Sequence, residues 1–366
     1  MIKIVFRVDS GNHIGIGHLM RCLTLAYEFK AQGHDIYFVT KNHEGFLKDA
    51  IPSLYKVFVL GGGCKTKLSD EMKNNYHSWL GESWEEDLKK TNEVLQEITN
   101  VDLVVVDHYS LDEKYEKELY CRKILVIDDL MNREHYCDYL LDQNTSANVK
   151  TYKSLTRQKE TLFFLGPQYA LLKRDFSLFR EQSIKRRSDS FKIKKILVFF
   201  GGGDIGNDCL RLAHTLTLKE LDLYNFTFIL KREHPSFDDL SLWAKKYPKS
   251  VTLYSFVENM AEVISEHDFF IGAGGATSWE RICLGIPSAI IAVADNQVKI
   301  SESLKELNLA YYLGIGKDVT DMRWKVFFKE KLTDEGYFQE MSKSGLKVVD
   351  GKGAINLANA ISEGLK

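Results

Sequence analysis

Residues 2–8 are short, β-branched and apolar around Lys3 and Arg7, and they run into a turn marked by Gly11, Gly15 and Gly17. Leu19, Leu23, Ala26 and Phe29 then recur at helical spacing until Gly33. The predicted order is strand, glycine loop, helix, stop. Asp35–Thr40 and Tyr55–Leu60 continue as strands, while Val101–Asp107 and Lys123–Asp128 are apolar enough to be strands covered by helices on both faces. The same phrase starts again at Ile193–Phe200, followed by Gly201-Gly202-Gly203-Asp204 and a helical period over Asn207–Leu216. Further strands are predicted at Phe226–Leu230, Val251–Tyr254, Phe269–Gly272 and Ser288–Val293, separated by segments of helix length. The pattern gives two parallel α/β units in tandem.

The chain's 366 residues suit two domains of about 150 residues each. Between the units, Glu181–Lys195 gathers Lys185, Arg186, Arg187, Lys192, Lys194 and Lys195 with few apolar residues, which predicts a solvated linker. After Thr320 the chain reads as helical to its end, closing on a short amphipathic stretch at Asn356–Leu365. Hydrophobic residues at 44% and charged residues at 27% exclude wholesale disorder. Lys and Arg number 49 against 51 Asp and Glu, a net charge of −2, so no global positive field exists and nucleic acid is not expected as a partner. Cys22, Cys64, Cys121, Cys137, Cys209 and Cys283 form no C-x-x-C pair, which argues against a zinc ribbon or a disulfide framework and for reduced thiols. Lys3 and Arg7 interrupt the first apolar run too early for a secretory h-region, and no stretch approaches the ~18 apolar residues of a membrane span. A soluble, cytoplasmic protein without integral membrane contact is expected.

The loops between strands and helices are where chemistry concentrates. Gly15-Ile16-Gly17-His18 lies where a strand hands over to a helix, so backbone N–H groups and the helix dipole favour anions there. A dinucleotide fold is a poor match: Met20 replaces the third glycine of G-x-G-x-x-G, and the next strand ends at Thr40 in place of an acid. Gly61-Gly62-Gly63-Cys64-Lys65-Thr66 lacks the glycine that precedes the lysine of a phosphate-binding P-loop. His18 is the most suggestive titratable group, since a neutral imidazole accepts a proton near pH 7; His13 lies close enough to compete, and a capping or packing role is the plainer alternative. Asp107-His108-Tyr109, Asp128-Asp129 and Asp142-Gln143-Asn144 end strands and crowd one rim with polar groups, where they serve either as helix caps or as ligand contacts. In the second half, Gly201-Gly202-Gly203-Asp204 and Gly272-Ala273-Gly274-Gly275-Ala276-Thr277-Ser278 each join a strand to a helix and suit a pyrophosphate. Glu280, one turn into the second of these helices, suits ribose hydroxyls or a solvent-facing cap, and Asp295-Asn296-Gln297 adds donors.

Two α/β units, a Gly-x-Gly-His first loop and a Gly-Ala-Gly-Gly-x-Thr-x-Trp-Glu segment resemble the GT-B class of nucleotide-sugar enzymes. The closest likeness is to the UDP-sugar hydrolases of pseudaminic acid biosynthesis. It runs over most of the chain, through Phe6-Arg7-Val8-Asp9, Gly17-His18-x-Met20-Arg21-Cys22-Leu23, Trp79-Leu80-Gly81, Asp107-His108-Tyr109, Leu141-Asp142-Gln143-Asn144, Gly166-Pro167-Gln168-Tyr169-Ala170-Leu171-Leu172, Gly201-Gly202-Gly203-Asp204 and Asp295-Asn296-Gln297.

The resemblance implies two Rossmann-like α/β domains facing a central cleft: 1–183 with the catalytic histidine, 190–320 binding UDP, and a helical tail over 321–366 that either packs back on the first or binds something else. It implies hydrolysis of UDP-2,4-diacetamido-2,4,6-trideoxy-β-L-altropyranose by water, with inversion, and neither cofactor nor metal. His18 matches the catalytic histidine and Tyr109 places the sugar or water. Gly15, Gly17, Arg21, Arg174, Gly201, Gly202, Gly203, Asp204, Gly274, Gly275, Ser278, Glu280, Asn296 and Gln297 are expected around the UDP-sugar. UDP is a good leaving group, so no second carboxylic acid of the glycosidase kind is required. Two other readings share most of these features: a GT-B glycosyltransferase in surface-polysaccharide assembly, and a non-catalytic UDP-sugar binder, which would not need His18. Thr66–Tyr76, the basic segment and the tail carry no motif of the family.

Overall fold

In β1 (Lys3–Val8) successive side chains alternate between the two faces of the strand. Ile4, Phe6 and Val8 enter one core and Val5 enters the other, so both faces are covered and the run is almost wholly apolar. The computed structural model describes residues 1–63, 76–188, 191–201, 204 and 206–366. Within its first compact unit, Met1–Leu172 with Lys352–Lys366, β1 is the centre of a parallel sheet. Its partners are β2 (Asp35–Lys41), β3 (Lys56–Leu60), β4 (Leu103–Asp107), β5 (Lys123–Ile127), β6 (Tyr139–Asp142) and β7 (Leu162–Leu165), in the order β3-β2-β1-β4-β5-β6-β7. Helix α1 (Gly17–Ala31) covers the Ile4–Phe6 face with Leu25, Ala26 and Phe29. On the opposite face lie α2 (Trp84–Ile98), α3 (Glu113–Glu116) and α4 (Val149–Leu155), which contribute Leu95, Tyr115 and Tyr152. The strand order reverses between β1 and β4, and in open α/β sheets ligands bind at the carboxyl ends of such a pair. Helix α1 begins there.

The second unit, Lys173–Gly351, opens with α5 (Arg174–Ser188). Its strands are β8 (Lys195–Phe199), β9 (Asn225–Ile229), β10 (Val251–Tyr254), β11 (Phe269–Ala273), β12 (Ser288–Ala292) and β13 (Tyr311–Ile315), all parallel in the order β10-β9-β8-β11-β12-β13. Between and after them come α6 (Asp208–Thr215), α7 (Leu218–Leu223), α8 (Phe237–Ala244), α9 (Met260–Ser265), α10 (Thr277–Cys283), α11 (Asn296–Glu306), α12 (Asp321–Val326) and α13 (Glu335–Leu346). Gly272 lets β11 approach β8: a Cβ there would stand 2.0 Å from the Phe199 carbonyl oxygen.

Three expectations from the sequence need correction. The segment read as a solvated linker is, up to Ser188, the end of α5. Its basic side chains satisfy helix C-termini, where orphan carbonyls and the dipole favour cations. Arg187 donates to Leu284 O past the end of α10, and Arg186 donates to Ser265 O at 3.1 Å and to Asp268 at 2.5 Å. Consequently the boundary between units falls at Leu172/Lys173, earlier than 183. The tail is also divided. Phe327, Phe328, Phe338 and Met341 complete the core of the second unit, and only α14 (Gly353–Gly364) returns to the first, where Leu357, Ala358 and Ile361 join the α1 face. Among the described residues no helix is long and apolar enough to cross a membrane.

Candidate active site

Strand parity decides what surrounds the start of α1. Leu103 and Val105 of β4 face the α1 side, so the strand's last residue, Asp107, faces it too. There its carboxylate accepts from His18 Nδ1 at 2.7 Å and from Arg21 Nε and Nη2 at 2.6 and 2.7 Å. His18 and Arg21 are three residues apart, on one face of the helix. Burial alone would raise Asp107, but Arg21 and then His18 hold it well below the usual carboxylate range. With Nδ1 on a carboxylate oxygen, the ring is assigned Nδ1–H, and the 3.2 Å approach of Arg21 Nη2 to Nδ1 follows from both donors sharing Oδ1. Nε2 then carries the lone pair. The His18 side chain is 11% exposed.

Aromatic rings wall the imidazole. Tyr109 meets it edge-on at 4.6 Å between centroids and Trp79 at 6.2 Å, while Tyr76 packs 5.0 Å from each of those two rings. The Tyr109 hydroxyl donates to Asp129 Oδ2 at 2.9 Å, the same oxygen that takes Arg21 Nη1 at 2.5 Å. Asn144 Nδ2 donates to Asp129 Oδ1 at 3.1 Å. One imidazole, one phenol and an apolar wall therefore converge at the switch point. Gly15 has φ +81°, a conformation that favours glycine, and a Cβ on Gly15 or Gly17 would meet nothing within 4 Å. Packing does not exclude side chains at either position, so the space beside the first turn is open.

A buried ionic cluster supports the turn that carries Trp79. Arg7, on the Val5 face of β1, donates to Asp87 through Nε at 3.1 Å and Nη2 at 2.7 Å, and to Asp9 Oδ1 at 2.7 Å. Lys41 Nζ lies 2.9 Å from Asp87, 2.8 Å from Glu82 and 2.7 Å from Leu80 O. His13 Nε2 lies 3.3 Å from Trp79 O. His108 accepts from Ser110 N at Nδ1, and burial holds it below the usual histidine range although Asp9 pulls the other way. For Asp87, burial is outweighed by Arg7 and Lys41, and the carboxyl is lowered to about 2. Asp87→Ala leaves two buried cations short of a partner and is expected to cost about 3–5 kcal/mol in a denaturant melt. Because the folded value is depressed, the Asp87 contribution is present above about pH 4 and is lost as pH falls through about 2.

In the second unit, Gly274 lies against Ser301, where a Cβ would be 2.1 Å from its Oγ, and Gly275 faces Gln297 Nε2. Gln297 Oε1 accepts from Val293 N at 3.1 Å, and Asn296 is exposed. Glu280 has a buried Oε2 without a hydrogen-bond partner, and burial pushes its carboxyl up to about 7 against Lys173 and Arg281. Gly201, with φ +98°, ends the run after β8, the strand beside β11. A concavity of about 520 Å³ past the end of β10 is lined by Tyr254, Phe256, Val257, Asn259, Glu262 and Asp175, and Phe256 is 78% exposed.

No protein-family model matches the chain. It is 26% identical over 371 residues to an uncharacterised protein of Methanocaldococcus jannaschii, covering 99% of this chain but 66% of that one. The UDP-2,4-diacetamido-2,4,6-trideoxy-β-L-altropyranose hydrolase of Campylobacter jejuni is 27% identical over 299 residues, covering 81% of this chain and 93% of the relative. Spore coat polysaccharide biosynthesis protein SpsG of Bacillus subtilis is 21% identical over 365 residues, 97% and 96% of the two chains. Among solved structures, Acinetobacter baumannii MurG matches with a TM-score of 0.66 at 14% identity, over 99% of this chain and 100% of that one. Medicago truncatula UGT71G1 complexed with UDP-glucose matches with 0.66 at 14% identity, over 100% and 98%. The chain has the GT-B fold.

Within each GT-B unit the predicted residues fall into distinct environments. His18, Tyr109, Arg21, Gly15 and Gly17 come together in the first unit, but every donor of Arg21 that is hydrogen-bonded goes to a carboxylate or stands beside His18, so the guanidinium orients neighbours. In the second, Gln297 approaches Gly275 and Ser301 approaches Gly274, while Glu280 lies one turn into α10 with Lys173 and Arg281 as its charged neighbours. Ser278 is fully buried, with Oγ accepting from Arg281 Nη2 at 2.9 Å and its backbone N–H donating to Gly275 O at 2.9 Å, so it supports the turn and offers a ligand neither group. Asp204 carries its carboxylate on the amides of Asp208 and Cys209 at 2.8 and 3.0 Å, where it caps α6 and occupies the anion position itself. Arg174 opens α5 with an exposed position. Gly202 and Gly203 lie outside the described residues. Tyr76, the place of Trp79 beside His18, and the orienting role of Asp107 and Asp129 do not follow from the sequence, where Trp79 stands only within the Trp79-Leu80-Gly81 motif. The parity of β4 and the adjacency of β1 to β4 were the available signals for Asp107.

Proposed function

We propose that this chain hydrolyses UDP-2,4-diacetamido-2,4,6-trideoxy-β-L-altropyranose, releasing UDP and the free sugar with inversion at C1. The observation that carries the reading is the His18–Asp107 pair, an imidazole whose Nδ1 is held at 2.7 Å by a buried carboxylate and whose other nitrogen is the acceptor. Such a base takes a proton from water as its oxygen attacks C1, the C1–O bond to the diphosphate breaks, and the electron pair leaves with UDP. Asp107 keeps the tautomer and compensates the imidazolium that forms. Tyr109, fixed through Asp129, orients the sugar or water, and the apolar wall of Trp79 and Tyr76 suits a sugar with methyl-bearing acetamido groups. In the second unit, Gly274 and Gly275 offer backbone approach to the diphosphate, Glu280 accepts from ribose hydroxyls, and the exposed face of Phe256 suits stacking with a base. Similarity to the Campylobacter hydrolase over 299 residues supports the substrate.

Transfer of the sugar to an acceptor hydroxyl is the second reading, because the His18–Asp107 pair serves an acceptor hydroxyl as readily as water. The same base then deprotonates the acceptor in place of water. Purified protein incubated with the UDP-sugar in buffer alone separates the two: hydrolysis yields UDP and reducing sugar in equal amounts, whereas a strict transferase yields neither until an acceptor is added. A protein that binds UDP and turns over under neither condition overturns both readings.

A further inference from the structure

The rim of the first unit holds a second layer of acids that the proposed reaction does not use. Leu140 faces the α4 side of the sheet, and by parity Asp142, at the end of β6, faces it as well, next to Asp128 after β5. The Tyr152 hydroxyl of α4 lies between them, 2.8 Å from Asp128 Oδ2 and 2.9 Å from Asp142 Oδ2, and all three residues are fully buried. A phenol has one proton to give, so two short contacts to carboxyl oxygens require that one carboxyl donate in return. Asp128 is the ionised partner: Arg133 Nη1 stands 2.6 Å from Oδ1, Met131 N donates to Oδ2 at 2.9 Å, and His135, itself paired with Glu116 at 2.8 Å, faces the same oxygen. Among the described residues the Asp142 carboxyl has no such cation: its Oδ1 accepts from the backbone and side-chain nitrogens of Asn144, both at 2.9 Å, and its Oδ2 meets the phenol. Burial and the charges of Asp129 and Asp128 push it up to about 8, against the bonds from Asn144 and Tyr152.

Asn144 joins this layer to the site. Its Nδ2 donates to both Asp142 Oδ1 and Asp129 Oδ1, and Asp129 in turn receives Tyr109 and Arg21 beside His18. We propose that Asp142 is a positioning residue that acts in its neutral form: by donating to Tyr152 it keeps the Asn144 amide on Asp129 and so fixes Tyr109 and Arg21 next to His18. Loss of its proton places a third buried negative charge beside Asp128 and Asp129 and turns the phenol's two acceptors into competitors. Asp129 then shifts and Tyr109 loses its anchor. This inference rests on His18 and Tyr109 serving the proposed reaction, but its structural half does not.

Asp142→Asn tests it, because asparagine keeps the acceptor toward Asn144 and a donor toward Tyr152. A carboxyl with a raised folded value gives stability that is greatest below the unfolded value and declines as pH rises to the folded one. The melting temperature of wild type is therefore expected to fall relative to Asp142→Asn between about pH 4 and about pH 8, with a constant gap above. In infrared difference spectra, a protonated-carboxyl C=O band that is present near neutrality, lost by about pH 9 in wild type and missing from Asp142→Asn reports the same carboxyl directly, the variant separating it from Glu280. The alkaline limb of kcat/KM near pH 8 is expected to move up or vanish in Asp142→Asn. A pH-independent gap in melting temperature, or absence of the infrared band, overturns the neutral carboxyl. Both structural results with an unmoved alkaline limb overturn its link to the site. Correct structural results in a protein that turns over no UDP-sugar leave the neutral carboxyl standing and overturn the assigned reaction instead.

Discussion

Alanine in place of His18 is expected to slow UDP release at least about 100-fold, the lower end of what a positioned general base contributes. UDP affinity is expected to change by less than about tenfold, or about 1.4 kcal/mol. The split follows from where the groups sit in the sequence and fold. His18 belongs to the first unit and touches Asp107, Tyr109 and Trp79, whereas the groups assigned to the nucleotide, Gly274, Gly275 and Glu280, belong to the second. Single-turnover rates with calorimetric UDP titration measure the two quantities separately. Asp107→Asn is expected to lower the rate as well, since it removes the charge that compensates the imidazolium and leaves the Arg21 guanidinium with a weakened partner. A melting curve distinguishes the part of that loss due to instability. If UDP affinity falls in step with rate in His18→Ala, the histidine belongs to binding and the proposed chemistry is wrong.

The two sheets were legible because both faces of β1, β4, β5, β8, β11 and β12 are buried, which writes an apolar run into the sequence that helical segments do not imitate. β7 and β13 were less visible. Each lies at a sheet edge, and exposed Leu162 and Ile315 dilute the pattern. The glycine loop and His18 stood out for the same reason as the strands: they interrupt regular periods at a strand-to-helix junction. What surrounds His18 was hidden, since Asp107 lies 89 positions away and Asp129 further still, and only the parallel order β1-β4-β5 brings their carboxyl ends together. The basic stretch after Glu181 has the charge density of a solvated segment, but Arg186 and Arg187 serve helix C-termini formed about 80 to 100 residues later. Asp204 shows the reverse case, a residue whose loop context suggested a phosphate contact but whose carboxylate satisfies its own helix.

Glu280→Gln is expected to weaken UDP binding about tenfold or more and to remove a pH dependence that wild type shows near neutrality. Burial brings the wild-type carboxyl up to about 7, opposed by Lys173 and Arg281, and its Oε2 has no hydrogen-bond partner among the described residues. A diol that donates to the carboxylate favours the ionised form, so UDP binding draws the group downward and releases a proton wherever the free protein holds one. The sign is therefore fixed: affinity is full above about pH 7 and declines below it, by at most about tenfold per pH unit for one site. UDP also titrates at its terminal phosphate near about pH 6, but that contribution is common to both proteins and cancels in their difference. Glutamine keeps one acceptor oxygen, presents an NH2 group that donates and accepts nothing, and has no proton to release. Calorimetry at about pH 6 and about pH 8, each in two buffers of different ionisation enthalpy, reads affinity and proton release together. Equal proton release in Glu280→Gln and wild type would remove the ribose from this carboxylate and leave its unpartnered oxygen unexplained. A difference confined to the lower pH would tie the Glu280 carboxyl of α10 to the nucleotide, independently of whether His18 activates water or an acceptor.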